Sequence, residues 1–239
     1  MKKFSRFIKL SGVGIFCTGI IAVIQGCSVE REGALFAVLL LILNFCSGPM
    51  ESGPMGEEPA PLPQIVMFSA GEHNGNLAGT AIAVPPFTVG RAGADNLCIA
   101  AKPAGITGTS VRAFISVTTD DEIRDMPANF SVPTTLQIVG PTGIKIAENW
   151  DDLFDHGTDM LLASLLDAGA SVAPIPQNWW SGSNSSGGLS PNDCQEWTSA
   201  DVSAGGGRFG RVNMQDASWL NTGSNASCTS VIELMCISF

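Results

Sequence analysis

Four cysteines downstream of residue 63, Cys98, Cys194, Cys228 and Cys236, constrain the fold more than any other feature. They follow an N-terminus that reads as an export signal. Lys2, Lys3, Arg6 and Lys9 precede an apolar run, Gly12 to Ile24, in which Thr18 is the only clearly polar side chain. Behind such a signal an even number of cysteines reads as a disulfide framework. Four cysteines allow three connectivities, and sequence alone does not choose between them. None of them forms a Cys-x-x-Cys pair, so neither a zinc ribbon nor a redox motif is expected.

The signal ends in Ile24-Gln25-Gly26-Cys27, which resembles a bacterial lipobox and marks Cys27 as the lipidated residue. Residues 1–27 are therefore assigned to the signal peptide. Residues 28–46 form a membrane-proximal segment built around the apolar run Ala34 to Phe45. At 1.5 Å per residue that run spans about 18 Å of helix, short of a bilayer core about 30 Å thick. Residues 47–63 carry five prolines and a doubled Ser-Gly-Pro-Met, and read as an extended tether.

The body, residues 64–239, reads as one α+β domain. Ile65 to Phe68 and Thr229 to Phe239 read as strands, as does Val111 to Val117. Gly71 to Pro86 reads as a loop, and so does most of Pro174 to Ala200. Ala92 to Ala101 predicts a helix with Ala94, Leu97, Cys98 and Ala101 on one face, and Met160 to Leu166 is apolar at helical spacing. Gly140 to Gly143 reads as a hairpin turn, and Asn149 as the cap of a short helix.

Charge narrows function. The body holds seven basic and seventeen acidic residues, so no nucleic-acid partner is expected and the overall field favours cationic ones. The chain has only His73 and His156, and no Gly-x-Ser-x-Gly elbow, so no catalytic set is expected. Trp179 and Trp180 are candidates for an exposed binding platform, with burial in the core as the alternative. Asp193, Glu196 and Asp201 have the oxygen chemistry of a calcium site, or form a solvated acidic loop. The acidic run Asp120 to Glu122 reads as a solvated turn or a dock for a basic patch. Arg208 and Arg211, in the glycine-rich stretch 205–210, suggest an anion loop, with a plain flexible loop as the alternative.

Several short elements in fixed order resemble the endostatin-like domain. They are Asn74-Gly75-Asn76-Leu77, Gly93-Ala94-Asp95 before Cys98, Arg112-Ala113-Phe114, and Trp150 with Leu153-Phe154. Trp180-Ser181-Gly182-Ser183, Cys194-Gln195-Glu196-Trp197, Ala226-Ser227-Cys228 and Cys236-Ile237 complete the set. With the lipobox, they make the chain similar to the leptospiral endostatin-like surface lipoproteins. The resemblance implies a C-type-lectin-like fold with short strands, two or three small helices, long loops and two nested disulfides, Cys98–Cys236 and Cys194–Cys228. It also implies a lipid-anchored adhesin at the outer-membrane surface that binds extracellular-matrix proteins or complement regulators. Heparin binding is not expected, because the arginines are scattered, and no cofactor is carried over. The alternatives are a calcium- or carbohydrate-binding lectin and a structural envelope lipoprotein without a soluble ligand.

Overall fold

The central strand β8 (Ile232–Ser238) is buried along all seven residues, which requires cover on both faces of its sheet. A computed structural model supplies that cover. The structure describes residues 62–155, 160–172 and 178–239, which lie in one compact unit, Pro61–Phe239. The signal, Cys27, the apolar run 34–46, nearly all of the tether and His156 fall outside the described residues.

The architecture is mixed α+β, mostly short strands with few small helices. Strand β1 (Ile65–His73) runs antiparallel to β8, with Phe68 opposite Cys236. On the outer side of β1 lie β3 (Ile138–Val139), parallel to it, and β4 (Lys145–Ala147), antiparallel to β3. The Gly140 to Gly143 turn thus closes the expected hairpin. On its other side β8 pairs with β2 (Val111–Ala113) and with β5 (Asn178–Trp180). Strands β6 (Gly207–Arg211) and β7 (Asn225–Ala226) extend the sheet beyond β5.

Side chains alternate between the two faces, so β8 feeds two cores. Met235 and Ile237 join Ile65, Met67, Phe114, Trp179 and Trp219 on one face. Leu234 and Cys236 join Phe68, Cys98, Ile115, Trp180 and Trp197 on the other. Helix α1 (Val89–Ala101) covers this second face, with Thr88 as its N-cap accepting from the Arg91 amide. The cystine Cys98–Cys236 ties α1 to β8, and Cys194–Cys228 joins the turn that precedes β6 to the segment that follows β7.

Several sequence expectations change here. The segment Met160 to Leu166 forms turns and bends rather than a helix. Its backbone amides are drawn elsewhere: Leu161 donates to Gln215 O, Leu162 to Ile146 O and Leu166 to Val212 O. Helical spacing here reflects apolar side chains packing onto the core from an irregular backbone. The strand at 111 stops at Ala113, because the amides of Ser116 and Val117 donate to Ser181 O and Asp121 O. Asn149 does cap, accepting from Asp151 and Asp152, but the helix is a single 3-10 turn, Asp151–Leu153. The acidic run leads into a 3-10 turn, Ile123–Asp125, and then α2 (Met126–Phe130). The glycine-rich stretch 205–210 is largely strand β6: Gly207 and Gly210 leave room for Trp180 and for the Trp219 carbonyl. A Cβ at Gly210 would lie 1.9 Å from that oxygen.

Candidate binding face

Among the described residues, Cys194–Trp197 form the least ordinary stretch of backbone. All four have positive φ, between 50° and 61°, and none is glycine. A left-handed residue other than glycine costs about 1–2 kcal/mol. Such a turn persists only where its surroundings over-determine it, and strain of this kind collects at functional sites.

The surroundings do so here. Cys194 is held by its disulfide to Cys228. The Trp197 indole is fully buried against Trp180, with ring centroids 5.4 Å apart, and its Nε1 donates to Ser116 O at 2.8 Å. The Trp197 carbonyl accepts from the amides of both Leu77 and Ala78. Gly90, at the start of α1, lies so close that a Cβ there would sit 1.8 Å from Glu196 O. Gly90→Ala is therefore expected to destabilise the protein by about 3 kcal/mol or drive the turn out of its conformation. A urea titration followed by tryptophan fluorescence checks the loss of stability, since all five tryptophans are buried in the folded domain.

Two loops are rooted on this turn. The first leaves Ala78, which bonds to Trp197 O, and returns at Gly90, which packs on Glu196. Its exposed residues include Ile82, at 84 % relative accessibility, Val84 at 64 %, Pro85 and Pro86. The second leaves Ser199, whose amide donates to Cys194 O, and returns at Gly206, whose carbonyl accepts from Cys194 N. It exposes Asp201 and Val202, the latter at 74 %. The Asp201 carboxylate accepts from the Ser203 amide, which holds its pKa below the usual aspartate range. Gln195 and Glu196 stand exposed on the turn.

Beside this face lies a buried polar clamp. Arg91 is 1 % exposed, and its guanidinium makes a two-pronged contact with Asp121, Nε to Oδ2 and Nη2 to Oδ1, both at 2.8 Å. Its Nη1 donates to Ala113 O and its Nη2 to Ile115 O. Asp95 accepts from the Ala113 amide and from Arg112. These bonds pin α1 to β2. The solvated-turn reading of Asp120 to Glu122 is corrected accordingly: only Asp120 is exposed, and Glu122 Oε1 accepts from the Leu189 amide.

The remaining sequence candidates separate. Trp179 and Trp180 are both fully buried, which removes the exposed platform. Their indole N–H groups donate to Trp219 O and His73 O, and the rings fill opposite faces of the sheet. Arg208 and Arg211 fall on opposite sides of β6, since they are three residues apart in a strand. Arg208 donates to Ser190 and to Ser224 O, so the pair builds no anion cradle. Asp193 accepts from the Glu196 amide, and with Asp201 serves local backbone. Among the described residues no group of three or more His, Cys, Asp or Glu side chains could hold a metal.

A surface cleft of about 490 Å³ lies between Gln64 and Val66, the loop after α1 and the Gly140 to Gly143 turn, and no titratable side chain lines it. Sequence reasoning missed the exposed apolar loop, whose run Ala81-Ile82-Ala83-Val84 was open to inspection. No protein-family model matches the chain, and neither does any curated protein.

Proposed function

We propose that the protein is an exported, lipid-anchored binding module that presents an endostatin-like, C-type-lectin-like domain at the cell surface. The observation that carries this reading is the pairing of the four body cysteines, outer with outer and inner with inner. That order is the one the family resemblance implies, and paired thiols belong to an oxidising compartment. Loops rooted on a cross-linked, strained turn suit presentation of surface more than chemistry. The partner class implied by the resemblance is extracellular-matrix proteins such as laminin and fibronectin, or complement regulators such as factor H. The reading needs no cofactor.

Surface plasmon resonance of the full oxidised chain against immobilised laminin, fibronectin and factor H tests it. Saturable binding to at least one, lost when the chain is reduced, is the expected result. Binding to none of the three overturns the reading.

A further inference from the structure

The loops that spring from the left-handed turn carry exposed apolar residues and acidic ones, and no basic side chain. Residues 74–90 contain no charged side chain at all. Residues 191–206 contain Asp193, Glu196 and Asp201, and neither Lys nor Arg. Upon this acidic ground stand Ile82, Val84 and Val202, each more than three-fifths exposed. Isolated exposed apolar residues are ordinary, but Ile82 and Val84 stand two residues apart in one uncharged loop. Pro85 and Pro86 fix their φ angles next to the apolar tip, so little freedom remains to be lost when it docks.

The charge pattern specifies what docks. Arg91, the basic residue nearest in sequence to the first loop, is buried against Asp121. Arg208, just past the second, is drawn to Ser190 and Ser224 O. An anionic bilayer would meet Glu196 and Asp201 and be repelled. A protein surface with an apolar pocket ringed by Lys or Arg would gain on both counts, since complementary charge at the rim steers and orients the encounter.

We infer that the two loops, residues 79–88 and 198–206, form a protein-docking face in which Ile82 and Val84 are the apolar anchors. Glu196 and Asp201 are the anionic rim, and the partner is a cationic-rimmed apolar surface on another protein. This inference rests on the binding-module reading and assigns it a face and a partner chemistry.

The test uses the full oxidised chain and a synthetic amphipathic helix of leucine and lysine as the immobilised probe. The same helix with glutamate for lysine is the control. The lysine probe is expected to bind and the glutamate probe is not. The variant I82S/V84S is expected to weaken binding at least tenfold, and E196Q/D201N three- to tenfold. D151N/D155N, which removes equal charge from exposed residues elsewhere, is expected to leave it within twofold. Hydrogen exchange on the complex should protect residues 79–88 and 198–206.

Equal losses from D151N/D155N and E196Q/D201N would mean nonspecific charge attraction and would overturn the inference. So would unchanged binding by I82S/V84S. Binding of the chain to phosphatidylcholine–phosphatidylserine vesicles that I82S/V84S abolishes would assign the loop to a membrane instead. If laminin, fibronectin or factor H binds the wild type and I82S/V84S equally, the docking face falls while the binding-module reading stands. Absence of all three interactions with the lysine-probe pattern intact overturns that reading and leaves the face.

Discussion

Replacing Cys98 and Cys236 together by serine is expected to lower the midpoint of thermal unfolding by about 10–20 °C. The two residues are 138 apart in sequence. Closing a loop of about 139 residues removes roughly 5 kcal/mol of entropy from the unfolded chain in the chain-entropy model. A domain of this size shifts by about 2–4 °C per kcal/mol. The inner pair, 34 apart, contributes roughly 4 kcal/mol taken alone by the same relation. It lies inside the outer loop, so removing both pairs should cost less than the two effects summed. Differential scanning calorimetry of the full chain measures each step. A shift of only a degree or two for the outer pair would show that the cross-link constrains little of the unfolded state.

Removing the Arg91 side chain is expected to cost about 3–5 kcal/mol, the range for breaking a buried ion pair from one side. Arg91→Ala strands the Asp121 carboxylate, which is 3 % exposed, and deprives the carbonyls of Ala113 and Ile115 of their donors. Arg91→Lys should lose most of the same energy. A single ammonium cannot reproduce the fork that meets Asp121 with two nitrogens while reaching two carbonyls. Asp120→Asn, one residue from the clamp but exposed, should stay within about 0.5 kcal/mol. Urea unfolding distinguishes the three. Hydrogen exchange at the Ala113 amide, which donates to Asp95, should accelerate in Arg91→Ala as α1 loosens from β2.

The clamp also illustrates what was hidden. Helical periodicity placed Cys98 and Ala94 inside, and both are fully buried. Arg91 and Asp95 stand seven and three residues before Cys98, on the same stripe, and are buried with it. The position of Asp95 on the helix was legible, whereas Arg91 precedes the start expected at Ala92 and joins the helix only because it begins at Val89. The burial of both was hidden, because a charged residue on an inward stripe is ordinarily a snorkelling one. What makes burial tolerable is Asp121, thirty residues away in sequence. Likewise Trp179 and Trp180, read as a possible platform, are core because Gly207 and Gly210 on the neighbouring strand leave space for them.

Local chemistry settled much from sequence alone. The buried strands at both ends of the body, the stripe of α1, the hairpin at Gly140 to Gly143 and the cap at Asn149 all follow from short-range pattern, and the structure contains each of them. Tertiary structure decided what depends on distant partners: which buried charges are matched, where β2 stops pairing, why 160–166 is not a helix, and how four left-handed residues are held. The physical reason is that periodicity and capping act within a few residues. The stability of a buried charge or a strained turn, by contrast, is set by groups brought close only once the sheet and its cross-links are in place.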